Sequence, residues 1–137
     1  MSKDFYKAFI SSDDTLRIYD GETLAFSSKK DQLLPLMEYI AAQKAAGGPV
    51  TIYDKVIGNS AALLAVKANA REACSPLGSE IAVKTLQKYG VKYHLDKIVP
   101  RIKRPDGRGL CPMEEMSIGK DPEEFYRELK ARIEANK

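Results

Sequence analysis

The sequence predicts an α/β protein, a three-layer α-β-α sandwich around a mixed sheet that opens with an antiparallel hairpin. Three observations predict it. From Val50 onward, short β-prone runs alternate with helical patterns, as in parallel strands joined by crossover helices. Asp20-Gly21 lies between two alternating apolar runs, which is a hairpin signal. "DPEEFYRELKARIEANK" ends the chain as a capped amphipathic helix.

The elements follow in order. Asp4–Ile10 places Phe5, Ala8 and Phe9 on one side of a short helix. In "TLRIYDGETLAFSS" a one-residue slip would reverse the faces. A three-residue loop, Tyr19-Asp20-Gly21, is expected to pair Leu16 with Leu24, keep Ile18 and Phe26 on that face, and hold Gly21 left-handed. "DQLLPLMEYIAAQKA" has helical apolar spacing. Pro35 fits only a first turn, so this helix begins between Asp31 and Leu34, and Gly47-Gly48-Pro49 ends it. "VTIYD" reads as a strand, "KVIGNSAALLAVKANA" as an alanine-rich helix and "REACSPLG" as a strand with a loop. "SEIAVKTLQKYG" is a helix with Ser79 as N-cap and Gly90 as its stop. "VKYHLDKIV" places Val91, Tyr93 and Leu95 on one strand face. The terminal helix, about residues 121–136, is capped by Asp121, with Pro122 at its first position and Phe125, Leu129 and Ile133 as its inner stripe.

Residues 1–137 read as one domain, because no linker or repeat divides them and 44% apolar residues suffice for a core. A net charge of +3 is too weak to argue for DNA or RNA. The longest strongly apolar run, Ala61–Val66, is far below the roughly 20 residues of a membrane span. "MSKDFYKAF" has no signal-peptide core. Two cysteines, Cys74 and Cys111, make no disulfide framework. These readings describe a cytoplasmic protein with reduced thiols.

The motifs "YDKVIGNSAALL", "SEIAVKTLQKYGV", "IVPRI" and "DGRGLCPME" occur in one order. In that order they resemble an uncharacterised domain-of-unknown-function family placed in the cytidine deaminase-like superfamily, over about Thr15 to Ile118. The resemblance implies that fold and no particular reaction. Zinc deaminases carry His-x-Glu at one helix start and Pro-Cys-x-x-Cys at the next. The matching places here are "SKKDQ" (Ser28–Gln32) and "DKVIG" (Asp54–Gly58), which offer no zinc ligand set. Neither a metal nor another cofactor is therefore expected.

The candidate sites lie where strands end and helices begin. Asp54 reads as an N-cap or as a proton-handling carboxyl. Lys55 beside it would hold an anion, and Gly58 would allow close approach of a ligand or of neighbouring backbone. Ser79 and Glu80 read as a cap with a favourable dipole charge, or as a ligand contact and a general base. Arg101 would hold negative charge, and Gly107 would shape an anion-holding turn. Cys111, before Pro112, would be an activated nucleophile at a helix start or a packing thiol. Lone His94 and Cys74 read as structural. The expected function is binding of a nucleotide-like or other anionic small molecule, with catalysis by Asp54, Glu80 and Cys111. The alternative is a non-catalytic interaction module that acts through a protein partner or as a homo-oligomer.

Overall fold

The computed structural model describes residues 2–42, 48–103 and 112–136. In chain order its elements are α1 (Lys3–Ile10), β1 (Leu16–Asp20), β2 (Thr23–Ser28), α2 (Leu34–Ala42), β3 (Val50–Asp54), α3 (Asn59–Lys67), β4 (Ala70–Ser79), α4 (Glu80–Lys88), β5 (Lys92–Val99), α5 (Pro112–Ser117) and α6 (Pro122–Ala135). The five strands lie in the order β2-β1-β3-β4-β5. β1 runs antiparallel to both of its neighbours, whereas β3, β4 and β5 are parallel.

The hairpin departs from its expected register. Asp20 pairs with Thr23 across Gly21-Glu22, Tyr19 pairs with Leu24 and Leu16 pairs with Ser28. A bulge at Ala25 then brings Ile18 opposite Phe26. One extra residue in a strand reverses its alternation, so the bulge keeps Ile18 and Phe26 on one face as expected, whereas Leu24, expected on that face opposite Leu16, lies opposite Tyr19 on the other. Gly21 is left-handed, with φ 60°.

The two sides of the sheet are covered unequally. Leu16, Ile18, Ile52 and Ala73 share a core with Leu36 and Ile40 of α2, Leu64 of α3, Leu86 of α4 and Phe125 and Leu129 of α6. The small side chains of α3, Ala61, Ala62 and Ala65, are almost fully buried. They allow this central helix to lie close to the sheet while α5 and α6 pack against it. On the opposite side Tyr19, Tyr53 and Cys74 are covered by Phe5, Tyr6 and Phe9 of α1. Phe5 stacks on Tyr19 with ring centroids 4.3 Å apart. Among the described residues no helix is long and apolar enough to cross a membrane.

Candidate functional site

The candidate site grows from the junction between β3 and α3. The sequence pattern runs the helix back to Lys55, but α3 begins only at Asn59. The reason lies in the backbone bonds of the intervening loop. The Ile57 amide donates to the Leu77 carbonyl at 2.9 Å, and the Ser79 amide donates to the Ile57 carbonyl at 3.1 Å. These bonds hold Ile57 as a bridge beside Gly78, so the chain stays extended beside β4 at Ile57 before the helix starts. Asp54 therefore does not cap α3. Its carboxylate accepts a hydrogen bond from the Val56 amide at 3.4 Å in a local turn.

Glu114 of α5 serves the α3 N-terminus instead. Its carboxylate accepts from the amides of Asn59 and Ser60 at 2.9 and 2.8 Å, and from the Ser60 hydroxyl at 2.5 Å. Glu114 is 4% exposed. Gly58 supplies the space: a Cβ there would lie 2.6 Å from the Glu114 carboxyl carbon. The close approach that Gly58 permits is thus made by a side chain of the protein itself. Asn59 adds hydrogen bonds to the carbonyl and hydroxyl of Ser117 at 3.2 and 3.0 Å and accepts one from Thr85 of α4.

Lys55 is occupied elsewhere. Its ammonium donates to the carbonyls of Phe9, Ile10 and Ser12 at 3.0, 3.2 and 3.1 Å, where α1 ends, and lies 4.6 Å from the Phe9 ring centre. A cation at a helix C-terminus is favourable, so this lysine ties α1 to the end of β3.

With Lys55 turned away, Asp54 makes no ion pair among the described residues and lies in a crevice of about 480 Å³. The crevice lies beyond the C-terminal end of β3, where strand direction reverses towards β1, the usual ligand position in open α/β sheets. Leu33, Val56, Ala61, Ile102 and Met113 give it mostly apolar walls. Burial pushes the Asp54 carboxyl up to about 7, against the opposing effect of the Val56 and Lys55 amides. Gln32, on the rim, has φ 62°, a left-handed conformation that non-glycine residues seldom adopt. Lys103 borders both this crevice and an adjoining groove of about 430 Å³ that Arg101 lines.

The other expected residues are not gathered here. The Ser79 hydroxyl is fully buried and accepts from the Ala82 amide at 3.0 Å as the cap of α4. Glu80 is exposed at the start of α4, and none of the crevice wall is made by it. Gly107 and Cys111 lie outside the described residues, as does the expected helix stop at Gly47. Among the described residues no group of three His, Cys, Asp or Glu side chains is placed to hold a metal ion. Cys74 is fully buried, and burial pushes its thiol up to about 12, with Glu72 adding to the shift. His94 pairs with Asp96 at 2.8 Å, and Asp96 also accepts from the Tyr6 hydroxyl. The Tyr6 and His94 bonds hold the Asp96 carboxyl below its ordinary range.

Sequence reasoning missed Glu114, Lys103 and Gln32. An acidic residue just after Pro112 reads as serving its own helix, and its service to α3 is a tertiary fact. The one available signal was the start of α3, where Gly58 offers no side chain to cap the helix.

A family model described as TM1506, domain of unknown function (DUF1893), matches residues 5–133, and the chain belongs to that family. No curated protein matches it. The solved structures include a DUF1893 family protein (TM1506) from Thermotoga maritima at 2.70 Å resolution. It is 26% identical, superposes with a TM-score of 0.84, and the match covers 96% of this chain and 92% of that one.

Proposed function

We propose that this chain is a zinc-free domain of the cytidine deaminase-like superfamily that binds a nucleotide-like small molecule in the crevice over Asp54. The mixed sheet, its opening antiparallel hairpin and the helices on both faces support the superfamily reading. One observation carries the ligand reading: a carboxyl raised to about 7 lies in a mostly apolar crevice and makes no ion pair among the described residues. Strongly shifted groups in clefts mark functional sites. The ring of the ligand would rest on Leu33, Ile102 and Met113 and offer N–H donors to Asp54. An anionic arm would reach Lys103 and Arg101 at the mouth. At neutral pH Asp54 can take or give a proton, so it is the group for acid–base work in this crevice.

A second reading, a non-catalytic interaction module, draws support from the structural employment of Lys55, Gly58 and Ser79. A thermal-shift and calorimetry screen with nucleosides and nucleotides separates the two. A ligand at 100 times its Kd adds about 2.7 kcal/mol of stability. That gain should vanish in Asp54→Asn, and Lys103→Ala should weaken nucleotides more than nucleosides. If no compound moves the unfolding midpoint of the wild-type protein, the crevice reading fails and the interaction module stands.

A further inference from the structure

β5 forms one edge of the sheet, and among the described strands it pairs only with β4. It is eight residues long, none of them buried, with Ile98 48% exposed. Folded proteins seldom leave so long an edge unmanaged, because its free backbone donors and acceptors are a template for another strand. Blocking charges of one sign would exclude a second copy. β5 carries mixed charges, Lys92, Asp96 and Lys97, and their order matters.

A two-fold axis perpendicular to the sheet pairs two β5 strands antiparallel and maps each face onto itself. Each register therefore centres on one residue. Centring on Asp96 sets it against Asp96 of the partner subunit, and centring on Lys97 opposes two lysines. Centring on His94 limits the paired stretch within the strand to residues 92–96. Centring on Leu95 pairs residues 92–98 without a like-charge clash. It sets Leu95 against its own copy, His94 against Asp96 of the partner subunit, Tyr93 against Lys97 of the partner subunit, and the Lys92 stem over Ile98 of the partner subunit. His94, Asp96, Lys92 and Ile98 share the α1 side of the sheet, and Tyr93, Leu95 and Lys97 share the other. Every facing pair is thus apolar, hydrogen-bonding or amphipathic, and none opposes like charges.

We propose that β5 is the contact through which two copies of this chain join their sheets antiparallel, with Leu95 on the two-fold axis. The inference does not rest on the crevice reading.

Sedimentation equilibrium of the full chain should show a mass that doubles as concentration rises. Ile98→Lys changes an exposed side chain and opposes it to Lys92 of the partner subunit at two symmetric places. It should weaken the dimer roughly tenfold while leaving the unfolding midpoint of the monomer unchanged. Directly opposed residues lie about 4.5–5.5 Å apart between Cα atoms, within disulfide reach. In a Cys111→Ser background, Leu95→Cys should form a covalent dimer on mild oxidation. A wild-type protein that stays monomeric at every concentration overturns the proposal. So does an Ile98→Lys dimer as tight as wild type, or cross-linking through His94→Cys and not Leu95→Cys.

Discussion

The junctions of β3 with α3 and of β4 with α4 are the same kind of place, a parallel strand running into a helix, and they are built in opposite ways. At β4 the strand passes directly into the helix, and Ser79 caps it from within the segment. At β3 a four-residue loop intervenes, Gly58 gives no side-chain cap, and a carboxylate fifty-five residues away by sequence serves the Asn59 amide. The first arrangement leaves nothing over. The second leaves Asp54 at the end of its strand with no helix to cap and, among the described residues, no ion pair. A helix start capped from afar, beside a strand-end carboxyl left in an apolar crevice, is the feature that separates a candidate site from a connection.

The comparison breaks most visibly at Glu114. Glu114→Ala removes three hydrogen bonds at once and leaves the Asn59 and Ser60 amides buried without their acceptor. Orphaned buried donors cost about 1–3 kcal/mol each when nothing replaces the acceptor. Water entering the vacated space offsets part of this, so the expected loss is about 3–4 kcal/mol in urea denaturation. Glu114→Gln keeps an acceptor oxygen and should lose less than half as much. Equal losses for the two substitutions would mean that packing, not capping, is what Glu114 supplies.

The same contrast separates what was legible in the sequence from what was not. Ser79 could be read as a cap because its partner, Ala82, lies three residues along. Asp121 and Pro122 were legible for the same local reason, and the capping box with Glu124 is present. The inner stripes of β5 and α6 follow directly from periodicity. Asp54 was placed at the end of β3 and read as an N-cap or a proton-handling carboxyl, and the cap reading fails because nothing nearby reveals that Ile57 bonds to Leu77 and delays the helix. Lys55 looked like an anion holder because its three carbonyl partners are at least 43 residues away. The hairpin was misread by one bulge, a feature that leaves face alternation intact on either side of it. Contacts within one turn of chain are written in the sequence, whereas those that define the crevice arise when α1, α2 and α5 converge on β3.

A medium effect sharpens the Asp54 half of the comparison. Burial raises its carboxyl from the ordinary 3.8 to about 7 in the folded protein. Between those values the native state holds a proton that the unfolded chain has lost, so stability falls as pH rises through this window. Below it both states are protonated, and above it both are ionised with the full penalty in place. Asp54 is only half-buried, and solvent screening trims the penalty to about 1–3 kcal/mol. Asp54→Asn should therefore gain that much on the wild type between pH 4 and 7, read as the difference between two urea-midpoint profiles. A constant difference across the window would place the carboxyl in contact with bulk water and remove the main support for an acid–base role.

Ser79 tests the quiet junction, where the smallest change is expected. Ser79→Ala removes one local cap from α4 and should cost about 1 kcal/mol. The Ser79 amide still donates to Ile57, so the loop that ends β3 keeps its anchor. Nucleotide affinity, where the screen finds it, should then be unchanged, because the Ser79 hydroxyl is fully buried and bonded within its own helix start. If Ser79→Ala instead weakened ligand binding at unchanged stability, the two junctions would form one site. The division between a sealed connection and an open crevice would then have to be redrawn to include the start of α4.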